Sequence, residues 1–194
     1  MKFRIHKTNT TSLPVVDQLQ SVQESLGFVP NLFGVIAESP PALQAFLAMN
    51  QQFGESSLTA LEREVVQIAA SVENDCAYCI AGHTAFADLL DLDSCPINEA
   101  RDSRPLTDPK LQALQAFTRA VVQQRGHLNF SDLADFEAAG YGSQAVIDVV
   151  LGVCVKFFSN LTNNIVGIPL DREFEPFAWT SGIANNQTQL TETV

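Results

Sequence analysis

Two thiols, an imidazole and a carboxylate stand in this chain at spacings that suit redox chemistry. The run Cys76-Ala77-Tyr78-Cys79-Ile80-Ala81-Gly82-His83 follows Glu64, which lies twelve residues before Cys76. On a helix turning about 100° per residue, Cys79 and His83 fall within roughly 60° of Cys76, and Ile80, Phe86, Ala87 and Leu90 share that face. The reactive groups therefore border packed, water-poor surface.

The thiolate, not the thiol, attacks peroxide or disulfide sulfur, so a redox site must lower a cysteine pKa from about 8.5. Cys76 and Cys79 fall in the first turn of their helix, where unpaired N–H groups and the helix dipole favour negative charge. His83, one turn beyond Cys79, can take its proton or stabilise its anion, and a carboxylate can orient the ring. Glu64, on the preceding helix, is the candidate for that carboxylate. Cys79, deeper and next to His83, is the expected attacker. Cys76, nearer the helix start, is expected to close the disulfide and to be the more exposed sulfur, open to an external reductant.

A C-x-x-C pair also allows other readings. It could be half of a zinc site completed by His83 and Cys95, or a purely structural pair. His83 shares one rigid face with both cysteines and no second close-spaced pair follows, so redox chemistry is preferred and neither metal nor cofactor is expected. Cys154 lies in the apolar DVVLGVCVKFF and reads as a small buried hydrophobe, while Cys95, before Pro96, reads as an incidental loop residue. His6 and His127 join no constellation and read as surface or loop histidines.

Composition limits the partners. A chain of 194 residues with 46% hydrophobic and 17% charged residues can bury a proper core as a single domain spanning 1–194. Its formal charge of −11 would be repelled by nucleic acid and by anionic membranes, so neither is an expected partner. The longest apolar runs, such as 149–155, fall well short of the roughly 20 residues of a membrane span, and no export signal is visible. A cytoplasmic location is expected, where four cysteines do not make a disulfide framework.

Helical patterns recur and no stretch sustains period-two alternation, so the fold class expected is all-α. Helices are read at 12–26, ended by Gly27-Phe28-Val29-Pro30-Asn31, and at 40–53, opened by Pro40-Pro41. Thr59-Ala60-Leu61-Glu62 has the spacing of a capping box and opens a helix to about Val72, with Leu61, Val65, Ile68 and Val72 as its core stripe. Glu64 borders that stripe and should be only partly exposed. The C-x-x-C helix follows to about Leu90. A short turn is read at 96–101 and helices at 108–125, 131–139 and 143–162, the last apolar on nearly all sides and hence central. Residues 180–194 read as a loose polar tail.

Taken together, these residues resemble the alkylhydroperoxidase D-like, "peroxidase-related" branch of the carboxymuconolactone decarboxylase superfamily. Its signature is a glutamate on one helix and C-x-x-C-x-x-x-H on the next. Leu26-Gly27-Phe28-Val29-Pro30-Asn31-Leu32-Phe33, the Ser39-Pro40 helix start, Leu58-Thr59-x-x-Glu62-x-Glu64, and Asn160 through Gly167-Ile168-Pro169-Leu170-Asp171 extend the likeness over roughly residues 12–175. The resemblance implies an all-helical bundle assembling as homo-trimers or hexamers with sites near subunit contacts. It also implies hydroperoxide reduction through Cys79, Cys76, His83 and Glu64, with a thioredoxin-like or lipoyl-bearing reductant. The chain departs from the alkylhydroperoxidase D pattern at Tyr78, where that pattern has histidine; a phenol can donate a hydrogen bond but is no base near neutral pH. Two other readings stand beside the thiol peroxidase: a decarboxylase or lactone-processing enzyme of the same superfamily, and a redox-responsive interaction protein without turnover.

Overall fold

The computed structural model describes residues 1–9, 15–180 and 191–193. Its helices run in the order α1 (Val16–Leu26), α2 (Asn31–Ile36), α3 (Pro40–Gly54), α4 (Ala60–Glu73), α5 (Ala77–Leu89), α6 (Ser94–Arg101), α7 (Pro109–Gln123), α8 (Phe130–Ala138) and α9 (Ser143–Val166), followed by a 3-10 turn at Arg172–Phe177. Among the described residues the fold is all-helical but for one short parallel pair, β1 (Phe3–Ile5) with β2 (Thr191–Thr193), in the register Phe3 to Thr191. The residues expected to form a loose tail thus include a strand at 191–193; residues 181–190 and 194 lie outside the described residues. So do residues 12–14 of the first expected helix, whose described part begins at Val16.

Local sequence explains the helix boundaries. Gly27 ends α1 in the left-handed conformation (φ 83°), which costs glycine little because it has no Cβ. Proline then resets the chain and α2, not foreseen from sequence, takes up Asn31–Ile36. At α4 the capping box forms in full: Glu62 N–H donates to Thr59 Oγ1 (3.2 Å) and Thr59 N–H to Glu62 Oε2 (2.8 Å). Asp75, at φ 50°, turns the chain from α4 into α5.

α4 is the hub, packed against α5, α6, α7 and α9. Val65, Val66, Ile68 and Ala70 are fully or almost fully buried, and so are Gln67 and Ser71 from its polar sector. α9 crosses α3 and α4 with Phe158 stacked on Phe46 (ring centroids 5.3 Å apart). By length and composition α9 could cross a membrane. It is instead packed as a core helix that turns Lys156, Ser159, Asn160 and Asn163 inward. It is not buried all round, as its composition suggested: Ile147 is 66% exposed and Ile165 65%, with Val150, Cys154 and Leu161 exposed on the same side. Cys154 is therefore no core residue, because the apolar content of α9 exceeds what its neighbours can cover. Cys95 is exposed on α6, whose N-cap Asp93 accepts the Cys95 N–H (2.9 Å), and not in a loop.

Candidate active site

The carboxylate and the ring come together. Glu64 Oε2 lies 2.8 Å from His83 Nδ1, with both side chains largely buried, because the turn at Asp75 folds α5 back along α4. The opposite ring nitrogen, Nε2, is hydrogen-bonded to Lys156 Nζ of α9. A lysine ammonium only donates, so Nε2 accepts and the Nδ1–H points at Glu64. The imidazole is neutral: burial and the Lys156 charge push its pKa down, outweighing Glu64.

Lys156 joins the two halves of the site. It is 3% exposed, and burial pushes its pKa below the ordinary lysine range, opposed by the sulfurs of Cys79 and Cys76 and the Glu64 carboxylate. Nothing in the sequence pattern marked this residue. Its neighbours Val153, Val155, Phe157 and Phe158 make α9 read as an apolar core helix. The one available signal was a single lysine inside such a run, since an unpaired ammonium is costly to bury and implies an acidic partner.

The two sulfurs are unequal. Burial raises the Cys79 thiol, but a hydrogen bond from Cys76, the Lys156 charge and hydrogen bonds from Asn160 and Ser159 outweigh it and bring the pKa down to about 6. Cys76 is pushed well above its ordinary value by burial, by its hydrogen bond to Cys79 and by the charge there, though the Cys79 backbone N–H reaches back to it. Cys79 is therefore the thiolate and Cys76 the thiol. The expectation that Cys76 is the exposed sulfur is corrected: it is 0% exposed, against 3% for Cys79. Its place at the N-cap of α5 lies under the turn that α9 clamps, where Asn74 Nδ2 donates to Asn160 Oδ1 (2.9 Å) and Asn164 Nδ2 donates to the Asn74 carbonyl (2.8 Å).

Cys79, His83, Lys156 and Tyr78 line a small chamber of about 50 Å³. Phe174 forms part of its wall, packing edge-on against Phe28, Tyr78 and Phe86, and Gly82 leaves room for it: a Cβ there would sit 3.2 Å from the Phe174 ring. Phe33, Asn50, His83 and Phe86 also line an outer, mainly apolar groove of about 580 Å³ that includes Glu64. The Tyr78 hydroxyl turns away from the sulfurs. It accepts from the Leu32 N–H (3.2 Å) and donates to Asp171, which also accepts from the Asn31 N–H (3.0 Å). That knot ties the Gly27–Phe33 segment to the segment ending at Asp171 and so closes the chamber wall.

Of the two remaining histidines, His127 is exposed. His6 is buried, not on the surface, with Nε2 3.4 Å from Glu38 Oε2. No three His, Cys, Asp or Glu side chains converge as a metal site among the described residues.

Residues 40–100, which hold Glu64, Cys76, Cys79 and His83, match the carboxymuconolactone decarboxylase family. Beyond those residues the chain is similar in fold to peroxidase-related proteins of the alkylhydroperoxidase D type. A peroxidase-related protein with an alkylhydroperoxidase AhpD core from Ralstonia eutropha JMP134 is similar over 89% of this chain and 93% of its own, with 24% identity and a TM-score of 0.80. A peroxidase-related protein from Silicibacter sp. TM1040 is 26% identical over 83% of this chain and 88% of its own, with a TM-score of 0.71. The debrominase Bmp8, solved with 2,3,4-tribromopyrrole, shares the fold at 14% identity (TM-score 0.77; 91% of this chain, 95% of that one). No curated protein matches the sequence.

Proposed function

We propose that this alkylhydroperoxidase D-like protein is a thiol-dependent peroxidase. The Cys79 thiolate attacks one oxygen of a hydroperoxide, forming an S–O bond as the O–O bond breaks, and becomes a sulfenic acid while the other oxygen leaves as an alcohol. The Cys76 thiol then displaces hydroxide from that sulfur, giving a disulfide and water. A dithiol of the thioredoxin-like or lipoyl-bearing class reopens the bond.

One observation carries this reading. A depressed thiol, Cys79, sits beside a hydrogen-bonded second thiol in a chamber whose wall also holds a lysine and a carboxylate-oriented histidine. Two of the similar structures are of peroxidase-related proteins, in agreement with it. Because Cys76 is buried, the reductant is proposed to reach the disulfide through Cys79 and the groove. The exposed row Ile147, Val150, Cys154, Leu161 and Ile165 supports the further proposal that the protein assembles with copies of itself.

The test is peroxide consumption with a dithiol reductant, followed by mass spectrometry of the thiols. Wild type should cycle through a Cys76–Cys79 disulfide, Cys79→Ser should be inactive, and Cys76→Ser should stop at the oxidised Cys79. Full turnover by Cys79→Ser would overturn the assignment. Oxidation that changes assembly size without turnover would favour the redox-responsive interaction protein.

A further inference from the structure

Breaking an O–O bond leaves an oxygen anion that needs a proton, and the chamber restricts where one can come from. A cavity of about 50 Å³ has room for a peroxide group or a water or two, not for bulk solvent. The polar side chains that line it are Asn50, Tyr78, Cys79, His83 and Lys156, with Cys76, Ser159 and Asn160 bonded to Cys79 and Glu64 bonded to His83 behind them. His83 has no proton at Nε2, and its Nδ1–H is held by Glu64. Cys76 keeps its proton tightly, because burial and the neighbouring thiolate oppose ionisation.

Resting on the peroxidase reading above, we propose that Lys156 is the proton carrier of this site: it protonates the leaving oxygen of the hydroperoxide and ends each oxidation uncharged beside the disulfide. In the first half-reaction the Cys79 sulfur takes one oxygen, and the departing alkoxide takes a proton from the Lys156 ammonium. In the second, the neutral amine accepts the Cys76 proton, and the new thiolate attacks the Cys79 sulfenic sulfur. The hydroxide that leaves takes that same proton from Lys156 and departs as water. The dithiol reductant supplies two electrons and two protons, restoring the Cys76 thiol, the Cys79 thiolate and the Lys156 ammonium. Loss of the thiolate removes a charge that kept a buried ammonium protonated, so lysine and sulfur change state together.

Two measurements test this. The first is proton uptake, read with an indicator dye in weak buffer near neutral pH, when reduced protein is oxidised by tert-butyl hydroperoxide. Wild type should take up no proton per disulfide formed, since Cys76 and Lys156 supply both; uptake of one would overturn the proposal. The second uses Lys156→Arg, which keeps a cation but has no proton to give near neutral pH. Its oxidation by tert-butyl hydroperoxide should slow about a hundredfold relative to peracetic acid, whose acetate leaving group needs no proton. An unchanged ratio of the two rates would overturn the proposal even if the variant is less stable, because both rates come from the same protein. If wild type forms no disulfide with any peroxide, the peroxidase reading itself fails, which neither of these results would mimic.

Discussion

The depressed Cys79 thiol can be tested without a peroxide. In a Cys95→Ser, Cys154→Ser background, which removes two exposed thiols and leaves the chamber intact, reaction with dipyridyl disulfide reports thiolate attack down to acid pH. An ordinary thiol titrates at about 8.5, whereas Cys79 is brought down to about 6. Near neutral pH roughly 90% of Cys79 would be ionised against ~3% of an ordinary thiol, a gain of about 30-fold. Lower basicity works the other way: with a Brønsted slope of about 0.45, a thiolate about 300-fold less basic attacks ~13-fold more slowly. The net gain near neutral pH is only about twofold, too small to be diagnostic. At about pH 5.5 the ionised fractions are roughly 24% and ~0.1%, and the net advantage reaches about 18-fold. The decisive quantity is therefore the pH midpoint of the rate, which slow access of the reagent to a covered sulfur does not move. It should lie near 6, with two equivalents of reporter released as Cys76 displaces the second, and Lys156→Met should raise it. A wild-type midpoint in the ordinary thiol range would refute the electrostatic account of the site.

Two structural predictions follow from the same packing. Tyr78→Phe removes the hydroxyl that accepts the Leu32 N–H and donates to Asp171, and should cost about 1–3 kcal/mol in denaturant unfolding. The pH midpoint of Cys79 should stay in place because that hydroxyl is committed away from the sulfurs; a raised midpoint would show that Tyr78 acts on Cys79 after all. Gly152→Ala would put a Cβ 2.6 Å from Phe53 Cζ and 2.9 Å from Val66 Cγ1 where α9 crosses α3 and α4, and overpacking of that kind costs about 1–3 kcal/mol. The unfolding midpoint should drop with the denaturant slope unchanged, and an unshifted midpoint would contradict the close crossing.

By itself the sequence determined whatever depends on neighbours within a helical turn or two. The Thr59 capping box, the buried Val65 and Ile68 of the α4 stripe, and the common face of Cys76, Cys79 and His83 all follow from helical periodicity. Glu64 could be chosen because α4 and α5 are consecutive and joined by a tight turn, which leaves few ways for them to pack. What lay beyond reach depends on contacts across the chain. Lys156 meets His83 across 73 positions and Tyr78 meets Asp171 across 93, and no periodicity links such pairs. Cys79 was legible as the attacker from its place beside His83, but beyond the Cys76 bond the ammonium and the two further hydrogen bonds that lower it come from α9, which only the tertiary structure brings up. Only it decided that Cys76 is covered and Cys154 exposed, and that the first residues pair with Thr191–Thr193. The physical reason is common to all of these: a pattern of side chains defines the face a helix offers, while burial and charge are set by whatever long-range neighbour arrives to cover it.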